Sequence, residues 1–414
     1  MSKPSPRLLI SALLFFLLSL ALYLSGHTAR LAWEYERLVT YARGIIYPAR
    51  GFPTPLVTVD KIPASATPSP LPSPTVPSIA NGEFSPLPSP TSTPILPLQV
   101  FLPSPAWEKQ DINNCGPATL AMALHMYGWG GDQFDIAAVI KPERADRNVN
   151  PEEMAYYVNN HAGWLRAEFR VNGSIPLLKR LLAAGFPVII EEVFIFPESY
   201  WPNDDHWAAH YLLLSGYDDL KGIFIGQDSY YGADQSVPYA KVEVNWQPFN
   251  RVYFLIYRPE QEESLRSLLG EDWDLDTNRQ RALEQSQKET ERYPENAFAW
   301  FNYGTNLVYF ERYAEAAGAY DRARQIGLPQ RMTRYQFGPF IAYFHAGRIP
   351  DLLALTEYTL QRTPNSEEAL LWRGWGLYRQ GDLKGAITLW QRALKARPAY
   401  PDALYALQFV GAGE

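Results

Sequence analysis

The stretch DINNCGPATLAMAL, residues 111–124, holds the only cysteine in a chain of 414 residues. Its order suits a helix start. Asn113 and Asn114 are capping-type residues, Gly116 permits a tight bend, and Pro117 fits the first helical position, where no amide hydrogen is missed. The run that follows is apolar on nearly every side, so a helix from Pro117 to Tyr127 is expected inside a domain. Cys115 then sits at its tip, where the positive end of the helix dipole favours the thiolate.

A nucleophilic sulfur needs a base. His27 and His345 lie in other parts of the chain, and His125 is buried too far along the same helix, which leaves His161, His206 and His210. His210 opens HYLLLSGYDD, and GIFIGQDSY follows across a short polar turn, a pattern for two hairpin strands. Residues 210 and 228 are roughly equidistant from a turn near Asp219 and Leu220, so His210 and Asp228 can meet across the pair. An imidazole held by a carboxylate and facing a thiolate is the arrangement of a cysteine acyl-transfer enzyme. His206 and His210 also form H-x-x-x-H, a zinc spacing on a helix, but HWAAH lacks the adjacent glutamate and continues as a strand. The WPNDDHW stretch reads as a loop beside the cleft, with His206 an alternative base if the register differs.

These residues carry a resemblance. QDINNCGPATLAMAL, LLKRLLAAGFPVII, HYLLLSGYDD and FIGQDSYYG together resemble the bacteriocin-processing peptidases of the papain-like cysteine peptidases, over roughly residues 110–257. The resemblance implies an α+β papain-like domain at 99–260, with Cys115 as nucleophile, His210 as base and then acid, and Asp228 orienting the imidazole. It also implies that Gln110 donates its side-chain amide to the oxyanion. Ser229 stands where family members more often carry proline. Transporter-fused members cut after paired glycines, but this chain has no ATPase region and no reason to share that substrate.

The same region reads as helices first, near 151–161 and 175–184, then strands at 186–193, 210–217, 222–228 and 251–257, which is the order of an α+β fold. Beyond it, residues 276–414 are helical and repetitive. Trp300, Gly304, Leu307, Tyr313, Ala316, Tyr320 and Ala323 recur seventy positions later as Leu370, Gly374, Leu377, Leu383, Ala386, Trp390 and Ala393. Pro329, Pro364 and Pro398 mark the half-step. The spacing resembles the tetratricopeptide repeat, with a degenerate middle unit around Phe340, Tyr343, Gly347 and Leu352 and a closing helix at 402–410. That resemblance implies a surface for a protein partner.

Toward the N-terminus, Lys3 and Arg7 precede an uncharged leucine-rich run at 8–24, at the lower limit for a bilayer span and flanked as a cytoplasm-facing end should be. Segment 1–26 is expected to be a membrane anchor, a cleaved signal peptide being the competing reading. Residues 27–51 read as a short amphipathic helix, and 52–98 as a Pro/Ser/Thr-rich linker in extended conformation that spaces the folded part from the membrane. The exported side is oxidising, yet one cysteine cannot pair within its own chain, so a disulfide staple is excluded. A net charge of −7 gives no basic surface for nucleic acid. No metal or organic cofactor is implied. The expected function is a membrane-anchored extracytoplasmic peptidase acting on a peptide or protein. A catalytically inactive binding scaffold and an acyltransferase using the same thioester are the alternatives.

Overall fold

A computed structural model describes residues 28–48, 50–56, 96–144, 146 and 148–413. The expected anchor at 8–24 and most of the proline-rich linker lie outside the described residues. Among the described residues, no helix is long and apolar enough to cross a membrane.

The first element is the expected amphipathic helix, α1 (Thr28–Ile46). The mixed α/β unit then runs β1 (Gln99–Phe101), α2 (Cys115–His125), α3 (Gln133–Ile140), α4 (Pro151–His161), β2 (Arg166–Arg170), α5 (Ile175–Ala183), β3 (Val188–Ile195), β4 (Trp207–Asp218), β5 (Ile223–Asp228), β6 (Gly232–Pro238), α6 (Tyr239–Trp246), β7 (Tyr253–Tyr257) and α7 (Glu262–Leu269). The strands form one antiparallel sheet in the order β2-β7-β3-β4-β5-β6, with β1 on β4. β4 is long enough, at 12 residues, to pair with β3 through 207–214 and with β1 through 216–218.

The central strands are buried on both faces, which is why they read as continuous apolar runs rather than alternating ones. Side chains of successive residues nevertheless divide by the two-residue period. Ile189, Tyr211, Leu213, Phe254 and Ile256 pack under α2, α3 and α4. Val188, Ile190, Leu212, Leu214 and Leu255 pack under α5, α6 and α7 on the other face. β1, β2 and β6 are the strands that periodicity misses, β1 being only three residues long and β2 and β6 carrying polar residues in place of an apolar run.

The helical region follows as α8 (Leu275–Arg292), α9 (Ala297–Tyr309), α10 (Tyr313–Ile326), the short α11 (Met332–Tyr335), α12 (Gly338–His345), α13 (Ile349–Arg362), α14 (Glu367–Arg379), α15 (Leu383–Ala396) and α16 (Pro401–Phe409). The repeat logic holds at Gly304 and Gly374. A Cβ at Gly304 would lie 2.9 Å from the Tyr320 ring, and one at Gly374 would lie 2.4 Å from Trp390, so each glycine lets a bulky ring of the next helix lie against its backbone. The degenerate middle unit still forms a helical pair, α12 with α13.

The two regions share a core. Val171, Trp207, Phe249 and Val252 of the α/β unit are packed in one cluster with Ala282, Phe301, Leu307, Met332 and Phe340 of the helical unit. Asn250 donates to Asn306 across the junction at 2.8 Å, and Arg331 makes a two-nitrogen pair with Asp204, with side chains 1% and 0% exposed. The linker's first residues differ from a free spacer. Residues 50–56 lie along the repeats, held by Arg324 and Asp351, while 96–101 joins the sheet of the same body. Both ends of the proline-rich stretch are thus fastened to one folded unit, and its length does not separate α1 from that unit.

Candidate active site

The helix α2 begins at Cys115 itself, two residues before the sequence pattern places it. Pro117 is consequently the third helical residue, a position whose amide also lacks a partner within the helix. The cap differs as well. Asn114 precedes the helix but donates its side-chain amide to Gln133 at 2.8 Å rather than capping, and Asn113 takes the left-handed conformation, φ 54°. Gln133 thereby fixes the loop that aims the first turn, since it also accepts from the Asp111 amide at 2.7 Å.

The structure brings Cys115, His210, Asp228 and Gln110 together, with Cys115 half-buried on the lining of a cleft. His210 Nε2 is 3.1 Å from Asp228 Oδ1, and both side chains are buried. That bond leaves Nδ1 as the imidazole nitrogen available to sulfur. Burial pushes the Cys115 thiol up, but the hydrogen bond and charge of His210, with the Tyr211 and Gly116 amides, carry it below its ordinary value. Burial pulls His210 down, yet the bonds to Asp228 and Cys115 hold the imidazolium up to about 10. Burial also disfavours the Asp228 carboxylate, and His210 together with the Tyr231 and Tyr230 amides more than reverses this. Those amides donate to Asp228 Oδ1 at 3.0 and 2.8 Å.

The hairpin register is not the symmetric one. A bulge between Leu214 and Gly216 shifts the pairing, so that continuing the Leu213–Gln227 match by one step sets Asp228 opposite Leu212, two residues from His210. The pair meets on the diagonal, within reach of long side chains.

Ser229, noted in the sequence only as a departure from the usual proline, lies fully buried between Asp228 and Gln110. Its hydroxyl donates to Gln110 Oε1 at 3.0 Å, and its carbonyl accepts from the Gln110 amide at 2.9 Å. With Oε1 so engaged, the side-chain NH2 of Gln110 is the end left to donate. Trp107 Nε1 donates to the Asp228 carbonyl at 2.8 Å, tying the approach to α2 onto the end of β5.

The other histidines stay out of this group. His206 uses both ring nitrogens in its own loop, at 2.8 Å to Ser199 Oγ and 2.8 Å to the Phe196 carbonyl, so it does not serve as the alternative base. His210 lies on a strand, which breaks the zinc spacing, and among the described residues no cluster of His, Cys, Asp and Glu could hold a metal. His161 stacks on Tyr157.

These groups open into a cleft of about 850 Å³. One wall is aromatic: Phe194, whose ring is 5.2 Å from that of His210, continues into Tyr230, Phe196, Tyr200 and Trp201. Glu34, Glu36 and Arg37 of α1 form another part of the rim, and Arg331, Arg334 and Tyr335 of the helical unit complete it. The 201–207 loop therefore does border the cleft, but it is bolted to the repeats by Asp204–Arg331 and by Trp201 Nε1 donating to Gln330 at 2.8 Å. Glu192, cross-strand from His210, is buried, and burial raises its carboxyl to about 7. Sequence patterning gives no signal for α1 or Arg331 at the cleft, because those contacts span more than a hundred residues.

The fold is a mixed α/β papain-like peptidase domain followed by a helical repeat region. Residues 101–254 match the Peptidase C39-like family, and 376–409 match a tetratricopeptide repeat; the chain thus carries a C39-like domain joined to such repeats. Similar solved structures include a putative C39-like peptidase from Bacillus anthracis, 20% identical, covering 39% of this chain and 98% of that one, with a TM-score of 0.31. Xylellain, a cysteine protease from Xylella fastidiosa, is 16% identical over 44% of this chain and 94% of its own, with a TM-score of 0.32. A double glycine motif protease from an AMS/PCAT transporter, in complex with the leader peptide, is 17% identical over 38% and 94%, with a TM-score of 0.29. No curated protein matches the chain.

Proposed function

We propose that the chain is a cysteine peptidase that hydrolyses peptide bonds in an extended segment laid between the C39-like domain, α1 and the repeats. The observation that carries this reading is the placement of Cys115, at the first turn of a helix, and of His210, held by Asp228 at 3.1 Å, on the lining of one open cleft.

In this reading the Cys115 thiolate adds to the substrate carbonyl carbon, and the carbonyl oxygen becomes an oxyanion facing the Gln110 NH2 and the Cys115 backbone amide. The oxyanion collapses, the C–N bond breaks, and the His210 imidazolium gives its proton to the leaving amine. A thioester remains. Neutral His210 then takes a proton from water, hydroxide adds to the thioester carbon, and sulfur leaves as thiolate with His210 again protonated. Asp228 holds the ring and favours its cationic form throughout. The aromatic wall beside His210 suits a bulky apolar substrate side chain. Lys3 and Arg7 ahead of the 8–24 run support a protein anchored in the membrane with this cleft on the exported side.

Incubating the protein with a quenched-fluorescent peptide library tests the reading. Wild type cleaves a subset, and Cys115→Ala loses at least about 10⁴-fold of that rate. Equal hydrolysis by the two, or none by wild type, overturns it.

A further inference from the structure

Residues 50–56, RGFPTPL, lie along the helical unit in a manner that describes a receptor site. Arg324, whose side chain is fully buried, donates from Nε to the Pro53 carbonyl at 2.8 Å and from Nη2 to the Thr54 carbonyl at 2.9 Å. The Leu56 amide donates to Asp351 Oδ1 at 2.9 Å. Just upstream, Arg362 donates to the Tyr47 carbonyl at 2.7 Å. Phe52 is 8% exposed, its ring edge-on to Tyr358 at 5.4 Å, and Pro55 is buried.

The site is prearranged around its own charges. Arg324 also donates to Tyr343 and to Asp351, Tyr343 donates to Asp321, and Arg348 pairs with Asp351 and Asp321. A buried network of this kind holds the guanidinium and carboxylate in fixed geometry before any chain arrives. Its chemistry also fits the occupant. Pro53 and Pro55 have no amide hydrogen, so this stretch offers mainly carbonyls, and a guanidinium, which only donates, meets two of them in succession. The first amide beyond them, that of Leu56, meets a carboxylate. Main-chain contacts select an extended strand, while Phe52 and Pro55 supply the side-chain reading.

We propose that the face formed by Arg324, Asp351, Tyr358 and Arg362 is a binding site for an extended aromatic-Pro-x-Pro peptide, and that its resident ligand is this chain's own 50–56 segment. Occupied in this way, the segment latches α1 against the catalytic domain. Gly44 of α1 lies under Trp201, where an added Cβ would come within 2.5 Å of the Trp201 Cβ, and Arg37 pairs with Glu198. An external peptide of the same chemistry competes with a tethered copy at high effective concentration. The face is therefore closed to partners until the strap leaves.

The test uses the full-length protein and a fluorescein-labelled RGFPTPL peptide, read by anisotropy, with hydrogen exchange over 28–56 measured in parallel. Phe52→Asp removes the aromatic anchor, and Leu56→Pro removes only the amide that Asp351 accepts, leaving the repeats untouched. Both variants are expected to raise exchange over 28–56 and to bind the peptide at least about tenfold more tightly than wild type, since the site is no longer filled. The same peptide with Phe changed to Ala binds neither. A strap that exchanges faster in Leu56→Pro without any gain in peptide binding overturns the proposal, as does unchanged exchange in both variants. Neither readout involves Cys115, so failure here and failure of the peptidase reading are separable.

Discussion

The cleft around Cys115 and the groove around Arg324 both bury charged side chains, and they use them differently. Around Arg324 each charge faces an opposite charge or a main-chain dipole, and a strap covers the site. At Cys115 a thiol is brought down and an imidazole held up by mutual contact, and one side of the pair faces open space. Buried charge that is fully matched specifies a docking geometry, whereas a perturbed pair at the edge of a cleft is available for chemistry.

The largest effect expected from breaking this contrast is at the cleft. His210→Ala removes both the partner that brings the thiol down and the base and acid of the proposed reaction, so the rate of peptide hydrolysis falls about 10²- to 10⁴-fold, measured on a quenched-fluorescent peptide. The corresponding change at a matched site acts on stability instead. Arg331→Ala leaves Asp204 buried without its counter-ion, at a cost of about 3–5 kcal/mol in urea unfolding, and burial then raises the Asp204 carboxyl that Arg331 now holds low. Smaller effects are expected at the oxyanion side. Gln110→Ala lowers kcat about 10²-fold with KM little changed. Ser229→Ala, which only frees the amide to rotate, lowers kcat about tenfold, within the range for one hydrogen bond to a positioned group. A larger loss in Ser229→Ala than in Gln110→Ala would show that Ser229 does more than orient Gln110.

The site residues were legible because short-range rules place them: a helix start exposes Cys115, and a hairpin brings His210 near Asp228. The same rules miss the bulge after Leu214, since β4 is buried on both faces and has no hydrophobic alternation for an extra residue to shift. β2 (RAEFR) and β6 (GADQSVP) escape because polar residues interrupt any apolar run, and their strand form comes from pairing with β7 and β5. The Arg331 bolt and the strap at 50–56, with Tyr47 just upstream, depend on contacts across 124 to 315 residues, which no local pattern encodes. The proline-rich composition of 52–98 leads to the expectation of a free spacer, whereas its first residues, 52–56, lie in a groove of the repeats, because an extended chain is also what a receptor groove binds.

The ion pair at Cys115 is tested most directly by the pH dependence of its alkylation by iodoacetamide. A lowered thiol is thiolate at pH values where an ordinary thiol is still protonated, and the imidazolium that favours it is held up to about 10, so the wild-type rate is expected to rise at lower pH than the rate of His210→Ala. In His210→Ala, where burial acts without the imidazole, the rate should climb only at or above the ordinary thiol range, near pH 8.5. A wild-type profile that climbs through the same range, superimposable on the variant's, would contradict the account.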